Sequence, residues 1–227
     1  MSTKVLKKKV IYTGYITLRT GMHIGGTNAA LNIGGPDKFV VRNPLDNIPY
    51  IPGSSLKGKM RSLVELKEGE SVNGKPSNNA DTKSGALFGV SGDSNSSRPS
   101  RLIVRDAPLA TEKDSVEELS RFGLHRQDIP DFSKTDLPFT ESKTEVAIDR
   151  VTAKANPRTF ERVPAGAKFK LSMVLNIFED EDEAALKSTL REAIDLLEDD
   201  YLGGHGSRGY GHVKITFVKE EGEDKTY

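Results

Sequence analysis

Residues 168–217, KFKLSMVLNIFEDEDEAALKSTLREAIDLLEDDYLGGHGSRGYGHVKITF, read in turn as strand, helix, glycine-rich loop and strand, and the fold follows from them. Phe169, Leu171, Met173, Leu175 and Ile177 alternate strictly, the period of a strand with one buried face. From about Asp182 to Tyr201, Leu186, Leu190, Ile194 and Leu197 recur every three or four residues, which predicts an amphipathic helix. Val213, Ile215 and Phe217 then alternate again. Toward the N-terminus, Val10, Tyr12, Ile16 and Leu18 predict a strand, and Leu56, Met60, Leu63 and Val64 predict a helix over 54–66, with Ser54 and Ser55 placed to cap it. RLIVR at 101–105 is a short strand. The order is β-α-β-β-α-β, an α+β, ferredoxin-like (RRM-like) core in which two helices cover one face of an antiparallel sheet and leave the other open. Proteins of this topology use the open face and its edges for single-stranded RNA, although topology alone assigns no function.

The 227 residues suit a single domain, 1–227, carrying three insertions too long for ordinary connections: 20–53, 67–100 and 106–167. The second is rich in Ser, Asn and Gly and is expected to be partly disordered. The third contains KTEVAIDRVTAKANPRTFERV, two β-like runs around an Ala-Asn-Pro turn signal at 155–157, and predicts a protruding hairpin with Arg150, Lys154 and Arg158 at its tip. With no cysteine, disulfides and thiolate zinc sites are excluded. The start of the chain lacks the apolar core of a signal peptide, and no stretch approaches the length of a membrane span, so a cytoplasmic protein without a membrane partner is expected.

Net charge is zero, but its distribution is uneven. Residues 1–62 hold ten Lys/Arg against two acids, a net +8, and residues 179–200 hold ten acids against two bases, a net −8. This reads either as a solvated acidic helix beside a chance cluster of lysines, or as a basic face for a phosphate backbone with an acidic back.

Two phosphate-loop patterns fail on context. Gly204, Gly206 and Gly209 match GxGxxG, but they follow a helix and precede a strand, the reverse of a dinucleotide fingerprint. GSSLKGK at 53–59 has Walker A spacing, yet Met60 stands where Ser or Thr must hold magnesium. What remains is Lys57 and Arg61 on one helix face beside backbone amides able to hold a phosphate, and the loop LGGHGSRGYGHV, whose Ser207, Arg208 and Tyr210 suit phosphate contact and stacking. Asp37, in the Gly-rich GTNAALNIGGPDK, reads either as a turn aspartate after Pro36 or as a carboxylate holding Mg²⁺ against a scissile phosphate, with the substrate supplying most other ligands.

Four segments taken together, HIGGTNAALNIGGPDKFVVRNP, IPYIPGSSLKGKMRSL, DRVTAKANPRTFER and LLEDDYLGGHGSRGYGHV, resemble the RAMP-type backbone subunits of type III-A CRISPR (Csm) effector complexes, from about residue 10 to 218 and in the same order. The resemblance implies a subunit that stacks with other copies of itself in a filament along a CRISPR RNA guide, beside other subunits of the complex. It implies that the hairpin is a thumb that splays the guide–target duplex. An aspartate of the 20–53 loop, by position Asp37, then cuts complementary target RNA with Mg²⁺ or Mn²⁺ by transesterification. Ser54, Ser55, Lys57, Lys59, Arg61, Gly204, Ser207 and Arg208 are implied to hold RNA, as are Thr152, Asn156 and Arg158 of the thumb, and His23 to orient RNA near the cut as a second catalytic residue. Two other readings stay open: a non-catalytic guide-coating subunit, and an endoribonuclease that processes CRISPR repeats.

Overall fold

The computed structural model describes residues 5–26, 39–71, 74–90 and 97–223. In chain order the elements are β1 (Leu6–Leu18), β2 (Tyr50–Ile51), α1 (Gly53–Glu68), α2 (Lys83–Phe88), β3 (Leu102–Val104), β4 (Ala107–Pro108), α3 (Val116–Arg121), β5 (Glu141–Ile148), β6 (Ala155–Arg162), β7 (Lys168–Phe178), α4 (Glu183–Glu198) and β8 (Val213–Glu223). It is a mixed α/β chain built on a four-stranded sheet, order β3-β7-β1-β8, with every neighbouring pair antiparallel.

Register explains the core. Val10 lies opposite Leu175, Tyr12 opposite Met173, Ile16 opposite Phe169 and Leu18 opposite Val213, so the alternating apolar residues of three strands share one face. Over that face lie α1, burying Leu56, Met60 and Val64, and α4, burying Leu186, Leu190, Ala193, Ile194 and Leu197, and the two helices pack on one another. Each of these Leu, Ile, Val and Met side chains contributes about 1.5–3 kcal/mol by leaving water. α4 opens on Asp182, whose carboxylate accepts from Ala185 N at 3.1 Å.

α1 is capped differently from the sequence expectation. Its N-cap is Pro52, which makes no side-chain cap, and Ser54 and Ser55 sit inside the first turn. The Gly53 amide instead donates at 2.7 Å to Asp106, a carboxylate brought from beyond β3. The 67–100 insertion, expected to be partly disordered, contains α2, capped by the Thr82 hydroxyl, and sends Leu87 and Phe88 into the core; its residues 72–73 and 91–96 lie outside the described residues.

The second sheet face is not open. Residues 107–134 cross it: Tyr15 of β1 packs against a small cluster of Ala110, Leu119 and Leu124. Lys170 of β7 is buried there, with its ammonium 2.7 Å from Asp114 and 2.5 Å from Glu118 of α3. Gly123 comes so close to β8 that a Cβ would meet Val218 at 2.2 Å. The third insertion thus spends its first half covering the sheet and its second half on a two-stranded β5–β6 hairpin. The hairpin turns at 149–154, where Asp149 accepts from Val151 N and Thr152 N at 2.9 and 2.8 Å. The expected Ala-Asn-Pro turn at 155–157 is in fact the start of β6, and Arg158 stands opposite Glu145 within the ribbon, away from the tip.

One buried ionic cluster fastens β3 to the loop after β7. Arg101 is 1% exposed and donates through Nε to both oxygens of Glu181, at 2.7 and 2.8 Å, and Arg98 reaches the same carboxylate at 3.0 Å. Burial alone would raise the Glu181 pKa. The Arg101 hydrogen bonds and charge outweigh it, with help from the Phe178 amide and Arg98, and hold it below its ordinary value. A depressed carboxylate stabilises the fold above its unfolded pKa and loses that contribution as pH falls through the folded value. Urea midpoints are therefore expected to fall as pH drops from 6 to 3, and Glu181→Gln should lower the midpoint at pH 6 while flattening this acid-side slope.

Candidate nucleic-acid interface

After β1 the chain forms a narrow neck. Met22 bridges Val163, His23 bridges Gly204 and Gly25 bridges Val40. Gly26 N donates to Phe39 O at 3.0 Å, and Val41 N to Ile24 O at 2.9 Å. The neck closes the base of the segment 27–38, which includes Asp37 and lies outside the described residues.

Glu161, near the end of β6, holds this neck. Its side chain is 2% exposed. One oxygen accepts from Val40 N at 2.8 Å; the other accepts from the Thr140 hydroxyl at 2.7 Å and from Arg42 Nη2 at 2.5 Å. Arg42 donates further to Asn47 O and Pro138 O. The Glu161 carbonyl accepts from His23 Nδ1 at 2.7 Å. A carbonyl cannot donate, so His23 Nδ1 is the protonated partner in this bond. Nothing in the local sequence marks Glu161, and the sequence reading missed it.

The glycine loop between α4 and β8 folds back onto His23. Gly204 N donates to His23 O at 2.8 Å. Gly203 has φ +87°, and a Cβ there would meet His23 O at 2.4 Å. Close backbone approach is thus real, but within the chain. The His205 ring packs tilted against Phe160, with centroids 4.4 Å apart, and lies 6.1 Å from the His23 ring. Arg208 Nη1 donates to His205 Nδ1 at 2.8 Å and pairs with Glu145 of β5 at 3.3 Å, joining the loop to the hairpin. Ser207 is exposed. Tyr210, expected to stack on a base, is 1% exposed, with Arg162 and Lys143 over its ring at 4.8 and 5.0 Å. Burial first, and then Glu145, pushes its hydroxyl pKa up to about 12.

The α1 residues are less free than the sequence suggests. Asp106 already satisfies the Gly53 amide, and a phosphate there would meet its negative charge. Lys57 donates to the Ser100 hydroxyl at 2.6 Å, and burial, then the Arg61 charge, hold its pKa below the ordinary lysine value. Arg61 bonds Glu65 at 2.7 Å and the carbonyls of Gly89 and Ser77 at 3.0 and 2.8 Å, buckling residues 77–89 onto the helix. Lys59 pairs with Asp200 at 2.8 Å and lies 3.9 Å over the Tyr201 ring, on which Gly206 packs. Ser54 is exposed and Ser55 half-buried. Exposed Thr152, Asn156 and Arg158 lie out along the hairpin, away from the His23 neck.

The uneven charge of the sequence is partly cancelled by folding. Lys8 pairs with Glu183 at 2.7 Å, Lys67 with Glu192 and Lys59 with Asp200, so lysines from the N-terminal third neutralise the acidic helix. A separate basic face and acidic back therefore do not describe these residues. Among the described residues, no three His, Cys, Asp or Glu side chains could hold a metal ion together, and no helix is long and apolar enough to cross a membrane.

The sequence profile of the RAMP superfamily matches residues 15–214. A relative from Methanocaldococcus jannaschii, "CRISPR system Cms endoribonuclease Csm3", is 41% identical over 235 residues, covering 100% of this chain and 86% of that protein. The protein of the same description from Streptococcus thermophilus is 42% identical over 214 residues, covering 93% and 89%. Among solved structures, a chain of the Csm3–Csm4 subcomplex in the type III-A CRISPR-Cas interference complex is 34% identical, with a TM-score of 0.56, covering 93% of this chain and 77% of that one. Gly203→Ala is expected to lower unfolding stability by about 1–3 kcal/mol in urea titrations, because it forces a side chain into a left-handed position against His23.

Proposed function

Because the chain belongs to the RAMP superfamily, we propose that it is the guide-RNA-binding backbone subunit of a type III-A CRISPR effector and that it cleaves complementary target RNA. The observation that carries this reading is a convergence at His23. The neck of the 27–38 segment, the glycine loop and the base of the hairpin all meet there through His23, Gly204, Arg208 and Glu161. The strand order β3-β7-β1-β8 supports reading the core as a split βαβ, ferredoxin-like one, and the hairpin is read as a thumb. Val146, Ile148 and Val151 are 54%, 65% and 94% exposed on a two-stranded ribbon, an apolar edge suited to press against stacked bases.

The guide backbone would run along Ser54, Ser55, Lys57 and Lys59 of α1 and along Gly204, Ser207 and Arg208, with Thr152, Asn156 and Arg158 on the thumb. Arg61, with three partners of its own, acts here mainly by fixing α1. The pairs Lys59–Asp200 and Arg208–Glu145 are partly exposed. Such pairs are worth about 0–1 kcal/mol each, so phosphates can displace the carboxylates at little cost. Other copies of the chain and other subunits of the complex flank it in a filament.

Cleavage is a transesterification. The ribose 2′-oxygen attacks the adjacent phosphorus, the bond from phosphorus to the 5′-oxygen breaks, and a 2′,3′-cyclic phosphate and a 5′-hydroxyl remain. Bound Mg²⁺ or Mn²⁺ would neutralise charge on the scissile phosphate. Asp37 would supply a protein carboxylate to such an ion, with RNA oxygens as further ligands. His23, 5% exposed and held through Nδ1 by the Glu161 carbonyl, would orient RNA near the cut.

Asp37→Ala in the assembled complex should leave guide content and target affinity within about twofold while single-turnover cleavage falls at least about 100-fold. Undiminished cutting would overturn the assignment, as would specific cleavage of repeat RNA by the isolated chain. Gly58 offers a second check. It is exposed in the middle of α1, and a Cβ there would meet nothing within 4 Å. Gly58→Ala should therefore raise stability by about 0.5–1 kcal/mol, yet weaken guide binding, as read by a salt titration of RNA retention.

A further inference from the structure

We infer that Asp200 and Glu145 are internal competitors for RNA: in the free chain each carboxylate holds the place of a guide phosphate, on Lys59 and on Arg208, and so sets the affinity that a strand must exceed to bind. The inference rests on the function proposed above and gives these two acids a part in it.

The two pairs share one construction, in which the cation has an anionic partner and a neutral one. Lys59 Nζ lies 2.8 Å from Asp200 and 3.9 Å over the Tyr201 ring, against which Gly206 of the glycine loop packs. Arg208 Nη1 lies 3.3 Å from Glu145 and donates to His205 Nδ1 at 2.8 Å. The neutral partner holds the cation in place when the carboxylate leaves, so an incoming phosphate meets a charge already positioned for it.

Exposure separates these pairs from the ones that fasten the fold. Arg101 and Glu181 are 1% and 6% exposed, whereas Asp200 is 33% and Arg208 60% exposed. Opening the first pair would strand a charge in the interior. In the other two, water and a phosphate can reach at least one member. Glu145, once displaced, still stands opposite Arg158 on the ribbon, and Asp200 is left at the surface. A third anion-binding position follows the same pattern, because the Gly53 amide at the start of α1 is already taken by Asp106 at 2.7 Å. Along the proposed guide track the chain thus supplies its own acid at three places where a phosphate would sit.

The test measures binding of the purified full-length chain, at low salt, to a single-stranded RNA of about ten nucleotides, a span typical of one binding fold. Asp200→Asn and Glu145→Gln are compared with wild type, and each is also placed in a chain that lacks its cation, Lys59→Met or Arg208→Met. Asp195→Asn, an exposed acid of α4 outside both pairs, is the control for charge alone. A partly exposed pair is worth little, so each change should tighten binding only about two- to fivefold. The gain of Asp200→Asn should vanish in the Lys59→Met chain and that of Glu145→Gln in the Arg208→Met chain, with Asp195→Asn within about 1.5-fold of wild type. Urea midpoints identify a variant that folds poorly, in which case the other pair carries the test. Unchanged or weaker binding by either folded variant would overturn the inference. A gain that persists without the cation, or that Asp195→Asn matches, would also overturn it, by assigning the effect to net charge. A wild-type chain with no affinity for RNA would instead remove the reading on which the inference rests.

Discussion

A negative charge taken out of water is the constraint around which this site is organised. The Glu161 carboxylate is tolerable in the interior only because a guanidinium, a hydroxyl and an amide all point at it. Removing one of them would leave the charge underpaired, so the three segments that supply them are held in mutual register. The neck after β1, the entry to β5 and the exit of β6 are brought together by these hydrogen bonds and charges and by the burial of Met22, Ile24, Val40, Phe160 and Val163 beside them. The helix-covered face of the sheet is held mainly by leucines and valines in register, and its own buried carboxylate, Glu65 of α1, is met by Arg61, the Ser77 amide and the Ser84 hydroxyl.

Glycine and charge have two distinct uses. Around His23, glycines permit one backbone to lie against another, as Gly203 does against the His23 carbonyl. Along α1, Gly58 leaves bare backbone facing outward where nothing in the chain occupies the space. Lysine likewise serves twice. Lys59 sits between the Asp200 carboxylate and the Tyr201 ring, a stored position from which a phosphate can draw it at small cost. Lys170, buried between Asp114 and Glu118, is permanently structural.

The parts of the fold that were legible in the sequence are those with a period. The alternation from Phe169 to Ile177 and the Leu186, Leu190, Ile194 and Leu197 spacing located β7 and α4 to within a few residues, because burial of one face imposes that period locally. What stayed hidden depends on partners distant in sequence. Glu161 meets Arg42 and Val40 across 119 and 121 residues, and Asp106 reaches Gly53 across 53, and no local pattern encodes such pairings. The covering of the second face by 107–134 was missed because its apolar cluster is small, and its short α3 has too few turns for a periodic signal. The hairpin turn was misplaced because Ala-Asn-Pro is a stronger local turn signal than Asp149, whose carboxylate organises the real one. At the site, the family resemblance pointed to particular segments. Which of their side chains face outward was beyond it, as Tyr210 and Arg61 illustrate.

The β5–β6 ribbon is held at its base by the Glu161 cluster and part-way out by the Arg208–Glu145 pair, and eight residues of extended chain span roughly 27 Å. It is geometrically an arm clamped at two points: a sideways load on the outer end is shared between a buried carboxylate that holds its partners in place and a partly exposed ion pair that yields at little cost, so the inner half keeps its direction while the outer half leans.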